Sequence, residues 1–295
     1  MRIKFFSRSF DKRLYIQSKK LYEDAGYPCV RLTDQTADGY FYTMLADTDC
    51  DIAINVDEDC FISDLDAVVK LVDFAIEGGF ANVGCSDGGA AVPRGGNPLV
   101  TNPFFNIFNL KLIREKFSKE AVKSFGYKEH REEMEASYPR ERLVYSYSFD
   151  SICQEPYYQF MLWLAANFRT YYLPSEKHAD GFTTILKMPE NMDQKQNGYE
   201  NRVFCLHTWL ARFYTTPSWA VKYWMKDQGM QKQRIDDRIA EAYSARGMKV
   251  IRFSTLQLLD CLMDRTMRWM VKIPQRIANW PNKLKMKIKL KQKKH

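Results

Sequence analysis

The chain has 295 residues, enough to bury a sizeable core in one large domain or two small ones. Hydrophobic residues at 45% and aromatics at 14% exclude a disordered chain, and seven cysteines with no C-x-x-C pair argue for free thiols in a reducing compartment and against a structural zinc site. The net charge of +8 conceals an asymmetry: residues 265–295 hold eleven Lys or Arg and no acid, which leaves 33 basic and 36 acidic side chains, net −3, in the first 264 residues.

In chain order, residues 2–6 alternate toward a strand, and Ser7-Arg8-Ser9 reads as a turn. Residues 10–25 read as a helix stopped by Gly26, Tyr27 to Leu32 as a second strand, and Asp38 to Leu45 as a short helix. Ile52 to Val56 is an apolar, β-branched run, expected to form a buried strand that ends abruptly in Asp57-Glu58-Asp59. Asp64 to Glu77 reads as a capped helix, Phe80 to Cys85 as a strand, and 86–98 as a glycine-rich loop. Asn102 to Asn109 is another buried strand, followed by a helix at 110–123 and a charged, peripheral stretch at 127–142.

Glu155-Pro156 opens a helix expected over Tyr157 to Phe168, since proline suits the first helical position. Arg169 to Leu173 reads as a strand, 187–201 as a loop or lid, and Val203 to Leu210 as buried chain. Strands alternating with helices give an α/β fold with a mostly parallel sheet covered on both faces, and ligands bind such sheets at the carboxyl ends of the strands. Ser7, Asp34 and Asp57 all fall at expected carboxyl ends.

Asp57 and Asp59, spaced i, i+2 at a strand tip, can turn both carboxylates toward one point, as Mg²⁺ or Mn²⁺ requires. A solvated acidic turn is the simpler reading of the same residues. A buried strand ending in D-x-D, followed by an apolar residue and a capped helix, resembles the metal-binding segment of GT-A glycosyltransferases. The pattern is similar to that of the family 2 enzymes of bacterial surface polysaccharide synthesis. The resemblance spans roughly residues 1–210 and is most specific at 51–89.

The resemblance implies a Rossmann-like GT-A fold and a metal, Mn²⁺ or Mg²⁺, on Asp57 and Asp59, with Asp59 the more direct ligand. It also implies a third ligand late in the chain. His207 is the candidate, though a packed core histidine fits the same position. In the family an acidic residue that opens a helix acts as base. Glu155 occupies that place here, where a helix N-terminus favours the ionised form; a simple capping charge is the other reading. Pro156 stands where the family has a second acid, which makes Asp150 the alternative base. Asp34 and Asp38 are candidates for the nucleotide, although two strand–helix units precede the metal strand where the family usually has three. Asp87 could reach donor sugar hydroxyls.

The implied function is transfer of a sugar from a nucleotide-sugar donor, expected to be a UDP-sugar, to a glycan or lipid-linked acceptor in capsule or lipopolysaccharide synthesis, with inversion. A nucleotidyltransferase and a non-catalytic membrane-associated scaffold are the alternatives. The former usually carries a glycine-rich phosphate loop after the first strand, and Ser7-Arg8-Ser9-Phe10 is not one.

The catalytic domain is expected over 1–215, with a helical C-terminal region over 216–295. Ser254 to Gln257 reads as a capping box opening an amphipathic helix, and from Lys283 to Lys291 lysine alternates with apolar residues. Trp269 and Trp280 lie in the same segment, and the pattern fits peripheral binding to an anionic membrane surface. A core-docked helix with a solvated tail is the other reading, and no nucleic-acid-binding motif is present. The eight N-terminal residues lack the apolar core of a signal peptide, and no stretch of 18 uncharged apolar residues exists. The expected place is the cytoplasm, at the inner face of the plasma membrane.

Overall fold

A computed structural model describes residues 1–36, 38–87, 96–143, 148–150, 152, 155–190, 198–209, 214, 228–268 and 270. The glycine-rich stretch at 88–95, the centre of the expected lid at 191–197 and the lysine segment lie outside these residues.

Among the described residues the central sheet has six strands: β1 (Ile3–Arg8), β2 (Cys29–Leu32), β3 (Ile52–Val56), β5 (Asn82–Ser86), β6 (Thr101–Asn109) and β7 (Thr170–Tyr172). Their order is β2-β1-β3-β6-β5-β7. β1 pairs in parallel with β2 and β3, and β5 with β7, while β6 runs antiparallel between β3 and β5. All strands but β6 therefore share one direction, which gives the mostly parallel α/β sheet expected.

Alternate residues feed opposite faces, as strand geometry dictates. Phe5, Ile52, Ile54 and Val56 enter one core, with Val68, Leu71 and Val72 of the helix α3 (Leu65–Glu77). Phe6, Ala53 and Phe108 enter the other. There they meet Tyr40, Phe41 and Met44 of α2 (Gly39–Ala46) and Phe160 to Leu164 of α7 (Tyr158–Asn167). The sheet is covered on both sides, so its strands read as continuous apolar runs.

α1 (Lys12–Lys20) is shorter than the expected 10–25 helix, because the chain tightens into a 3₁₀ turn at Glu23–Ala25. Gly26, at φ 75°, closes that turn in the left-handed region. The expected 110–123 helix is two pieces, α4 (Leu110–Arg114) and α5 (Lys119–Ser124); the Ser118 side chain caps the second by accepting from the Ala121 amide. The charged stretch forms α6 (Tyr127–Ser137), which buries Tyr127 and Met134. α7 begins at Tyr158, so Pro156 precedes the first helical position rather than occupying it.

A second sheet has the order β4-β10-β9-β8, all antiparallel, from β4 (Cys60–Ile62), β8 (Ser175–Lys177), β9 (Thr184–Lys187) and β10 (Val203–His207). Sequence patterns did not separate β4 from the α3 approach, nor β8 and β9 from loop. The buried Cys60 and Cys205 thiols face each other across β4 and β10, 2.8 Å apart. The C-terminal region contributes α8 (Gln228–Ala245), whose Ile235, Ile239, Ala242 and Tyr243 are buried in the same core as β3 and α3.

Residues 255–268 form the helix α9. The Gln257 side chain accepts from the Ser254 amide at 2.9 Å, and the Ser254 hydroxyl accepts from the Gln257 amide at 3.3 Å, the reciprocal capping box expected.

Candidate active site

Asp57, Glu58 and Asp59 are the three residues between β3 and β4, so the acidic triplet is the junction where the chain leaves one sheet and enters the other. The Asp57 amide donates to the Phe104 carbonyl, which continues the β3–β6 ladder one residue past the strand. The Asp57 carboxylate is buried. Its Oδ2 accepts from the Arg8 guanidinium at 3.1 Å, whereas its Oδ1 has no hydrogen-bond partner among the described residues. Burial pushes the Asp57 carboxyl up to about 6 even with Arg8 alongside, and the neighbouring Asp59 charge acts in the same direction.

Glu58 turns the other way. Its Oε2 accepts from the Ser9 hydroxyl and the Phe10 amide, both at 2.9 Å, and from the Asp11 amide at 2.6 Å. The middle residue of the motif thus fastens the loop after β1 beneath the site, and full burial raises its carboxyl well above the usual range despite these donors.

Asp59 lies across from His207, with Oδ1 and Nε2 3.4 Å apart. Burial alone would raise the Asp59 carboxyl, but the His207 charge and hydrogen bond outweigh it and hold it below its ordinary value. The β4–β10 register produces this meeting: His207 pairs with Cys60, the residue after Asp59. The Asp59 carbonyl accepts from the Thr208 amide at 3.0 Å. The His207 ring stacks on Phe104 at 3.9 Å with an interplanar angle of 8°, and lies 4.4 Å from the Trp209 ring at 61°. Its Nδ1 is buried without a hydrogen-bond partner among the described residues.

α8 braces this arrangement from behind. The Arg234 guanidinium donates to the Trp209 carbonyl at 3.1 Å, the Thr183 hydroxyl at 3.2 Å and the Gln231 side chain at 2.9 Å, and also to the Thr208 carbonyl. The chain after His207 is therefore held by a buried, fully engaged cation from the C-terminal region.

The sequence-expected residues are thus brought together unevenly. Asp57, Asp59 and His207 share one corner, although among the described residues no three His, Cys, Asp or Glu groups form a ready-made metal cluster. The donor set still fits a hard cation of the Mg²⁺ type, which commonly takes one or two protein carboxylates and fills its remaining positions with substrate phosphate and water. Two ligands about 2.1 Å from one ion at a right angle lie about 3.0 Å apart, so the 3.4 Å between Asp59 and His207 is close to the spacing of two adjacent ligands. Asp57, two residues before Asp59, adds a carboxylate oxygen, Oδ1, that no hydrogen bond among the described residues occupies.

Asp87 does not open toward a ligand. It is fully buried, and its carboxylate accepts from Asn102, from the Tyr157 hydroxyl at 3.0 Å and from the Tyr158 hydroxyl. A carboxylate in that apolar setting must be satisfied by protein donors, so the expected contact with sugar hydroxyls is replaced by a bracing role.

Through Asp87 the start of α7 is tied to β6, and Asn102 and Phe104 of β6 reach Asp87 and Asp57 in turn. Glu155 precedes that start, and its carbonyl accepts from the Tyr158 amide. Asp150 is exposed and paired with Arg131 of α6, in a cavity of about 560 Å³ lined by Tyr127, Lys128 and Glu132. Asp34, at φ 60°, is exposed just beyond β2. Asp38 precedes α2 without capping it; the Gly39 amide donates instead to the Thr36 hydroxyl at 3.0 Å.

Arg8 was missed by sequence reasoning. β1 continues through Ser7 and Arg8, which pair with Arg31 and Leu32, so Arg8 rather than Ser7 reaches the carboxyl edge. Its guanidinium lies over the Tyr40 ring at 5.1 Å and the Phe10 ring at 5.7 Å. The only local signal was an arginine directly after an apolar strand.

No family model and no curated protein matches the chain. Among solved structures, it is similar to A197 from STIV at 14% identity, over 64% of this chain and 87% of that one, with a TM-score of 0.36. It is similar also to a glycosyltransferase involved in the glycosylation of the major capsid of PBCV-1, at 13% identity over 58% of this chain and 92% of that one, with a TM-score of 0.29.

Proposed function

We propose that this chain is a metal-dependent glycosyltransferase that moves a sugar from a nucleotide-sugar donor, a UDP-sugar, to a hydroxyl of a glycan or lipid-linked acceptor. The observation that carries the reading is the carboxyl end of β3, where Asp57, whose Oδ1 has no hydrogen-bond partner among the described residues, stands two residues before Asp59 of an Asp59–His207 pair 3.4 Å apart. Asp59 and His207, with Asp57, would hold a divalent cation, Mn²⁺ or Mg²⁺, and when bound it would neutralise charge on the departing diphosphate.

The remaining roles belong to the protein. Arg8 orients the Asp57 carboxylate and adds positive charge at the same edge. Asp34 and Asp38, beyond β2, face the nucleoside. Glu155 takes the proton of the acceptor hydroxyl while that oxygen bonds the anomeric carbon. The bond from that carbon to the diphosphate oxygen breaks as it does so, releasing a nucleoside diphosphate with inversion. Transfer into a surface glycan at the cytoplasmic face of a membrane completes the reading.

Calorimetric titration with UDP in the presence and absence of Mn²⁺, followed by a screen of UDP-sugars for release of UDP, tests it. Binding that requires Mn²⁺ and weakens in Asp59→Asn is the expected result. Tight binding of nucleoside triphosphates with pyrophosphate release would replace the reading with nucleotidyl transfer, and no nucleotide binding at all would support a scaffold.

A further inference from the structure

α9 is amphipathic, and it presents its charged face to the body. It docks through charged side chains: Asp260 with Lys12 at 2.8 Å, and Asp264 with both terminal nitrogens of Arg31 at 3.1 Å. Arg268 donates to the Phe10 carbonyl at 2.8 Å. Asp260, Asp264 and Arg268 recur every four residues and form one row. A second row, Leu256, Leu259, Met263 and Met267, follows the 3-4-4 spacing of a helix face and is turned to solvent, at 78%, 50%, 62% and 54% exposure. Leu262 widens it at 61%. A contiguous apolar strip of this kind on an otherwise well-buried protein marks a surface that is covered in use.

We propose that this face of α9 lies on an anionic lipid surface. The charge that accompanies it selects the occupant. From Arg265 to the last residue the sequence holds eleven Lys or Arg and no acid, while the remainder of the chain is net −3. The apolar strip is thus continuous in sequence with a concentrated positive charge. A second copy of the chain would bring an equal positive segment against the first, whereas an anionic membrane accepts both the charge and the apolar row. No helix among the described residues is long and apolar enough to cross a membrane, so the contact is one of lying on the surface.

The anchoring also links this surface to the β3 corner. Arg268 holds the Phe10 carbonyl, and Glu58 of the acidic triplet holds the Phe10 amide at 2.9 Å. The helix that meets lipid is therefore two side chains away from the candidate site. The proposal stands on the exposed face and the charge, and does not require the transferase reading.

The test is co-sedimentation of the full chain, without nucleotide, with vesicles of phosphatidylcholine alone and of equal parts phosphatidylcholine and phosphatidylglycerol. The wild type is expected to pellet with the mixed vesicles and not with the neutral ones. Leu259→Asp combined with Met263→Asp should weaken that binding by about tenfold or more. Both side chains are exposed, so circular dichroism and melting temperature should be unchanged. Asp59→Asn should bind vesicles as the wild type does, which separates this proposal from the transferase reading. Equal binding by the double variant, or no vesicle binding by the wild type, overturns the proposal. So does a vesicle-free dimer of the wild type that the double variant abolishes in light scattering, since the face would then meet a second copy.

Discussion

Asp59 Oδ1 and His207 Nε2 stand 3.4 Å apart although they are distant in sequence, because both lie at the same end of the antiparallel β4–β10 pairing, where Cys60 faces His207. Their backbones are joined independently of their side chains, through the Thr208 amide and the Asp59 carbonyl. Removing either side chain should therefore spare the fold. Asp59→Asn and His207→Asn are each expected to lower UDP release on the order of 10²-fold or more. Mn²⁺-dependent nucleotide binding should fall in parallel, with the melting temperature nearly unchanged in Asp59→Asn and lowered in His207→Asn, whose ring packs on Phe104 and Trp209. Near-full activity of either variant with Mn²⁺ would remove that residue from the metal site.

Glu155→Gln keeps the shape of the approach to α7 and removes the proton acceptor. General-base catalysis is typically worth about 10²–10⁴-fold. Turnover should fall by that order while UDP binding persists. A loss of less than about tenfold would transfer the role to Asp150, and Asp150→Asn would then show the larger effect.

Arg234→Met tests the bracing of the His207 segment. The substitution keeps a long apolar side chain but leaves the Thr208 and Trp209 carbonyls without the guanidinium that now satisfies them. Each buried acceptor left unpaired costs about 1–3 kcal/mol, so chemical denaturation should report a loss of about 2–6 kcal/mol in total. Saturating Mn²⁺ and UDP should recover part of it if the loosened element is the one that carries His207.

The docking of α9 depends on pH through Asp264. Burial would raise its carboxyl, but hydrogen bonding to Arg31 and Arg268 and their charge hold it below the ordinary 3.8. A depressed carboxyl contributes stability that is fully present above its unfolded value and lost as pH falls through the folded one. Amide hydrogen exchange in 255–268, relative to α8, should thus be flat from neutral pH down to about 5 and accelerate below the ordinary carboxylate range. Arg31→Gln should give fast exchange in 255–268 at neutral pH. An unchanged pattern in that variant would mean that other contacts hold the helix.

Much of the architecture follows from short-range pattern. Ile52 to Val56 reads as a buried strand because both faces of its sheet are covered, and the structure gives that span unchanged. The reciprocal Ser254–Gln257 cap is equally local, since both partners lie within one turn. Boundaries erred where a distant partner decides them. β1 runs on to Arg8 because Arg31 and Leu32 are there to pair with it, and no property of Ser7-Arg8-Ser9 announces that.

The acidic triplet shows the division most clearly. Its composition and its position after β3 are written in the sequence, and they are enough to mark a candidate metal site. Which carboxylate faces which neighbour is decided only when the chain folds. Glu58 turns inward to three donors of the β1 loop, Asp57 meets Arg8, and Asp59 meets His207. Consecutive residues at a strand end point in different directions, and the burial and hydrogen bonding of each are fixed by segments far away in sequence. Local periodicity reports the backbone state of a residue, but the partner of its side chain is set by sheet register and crossover, which short-range pattern does not encode.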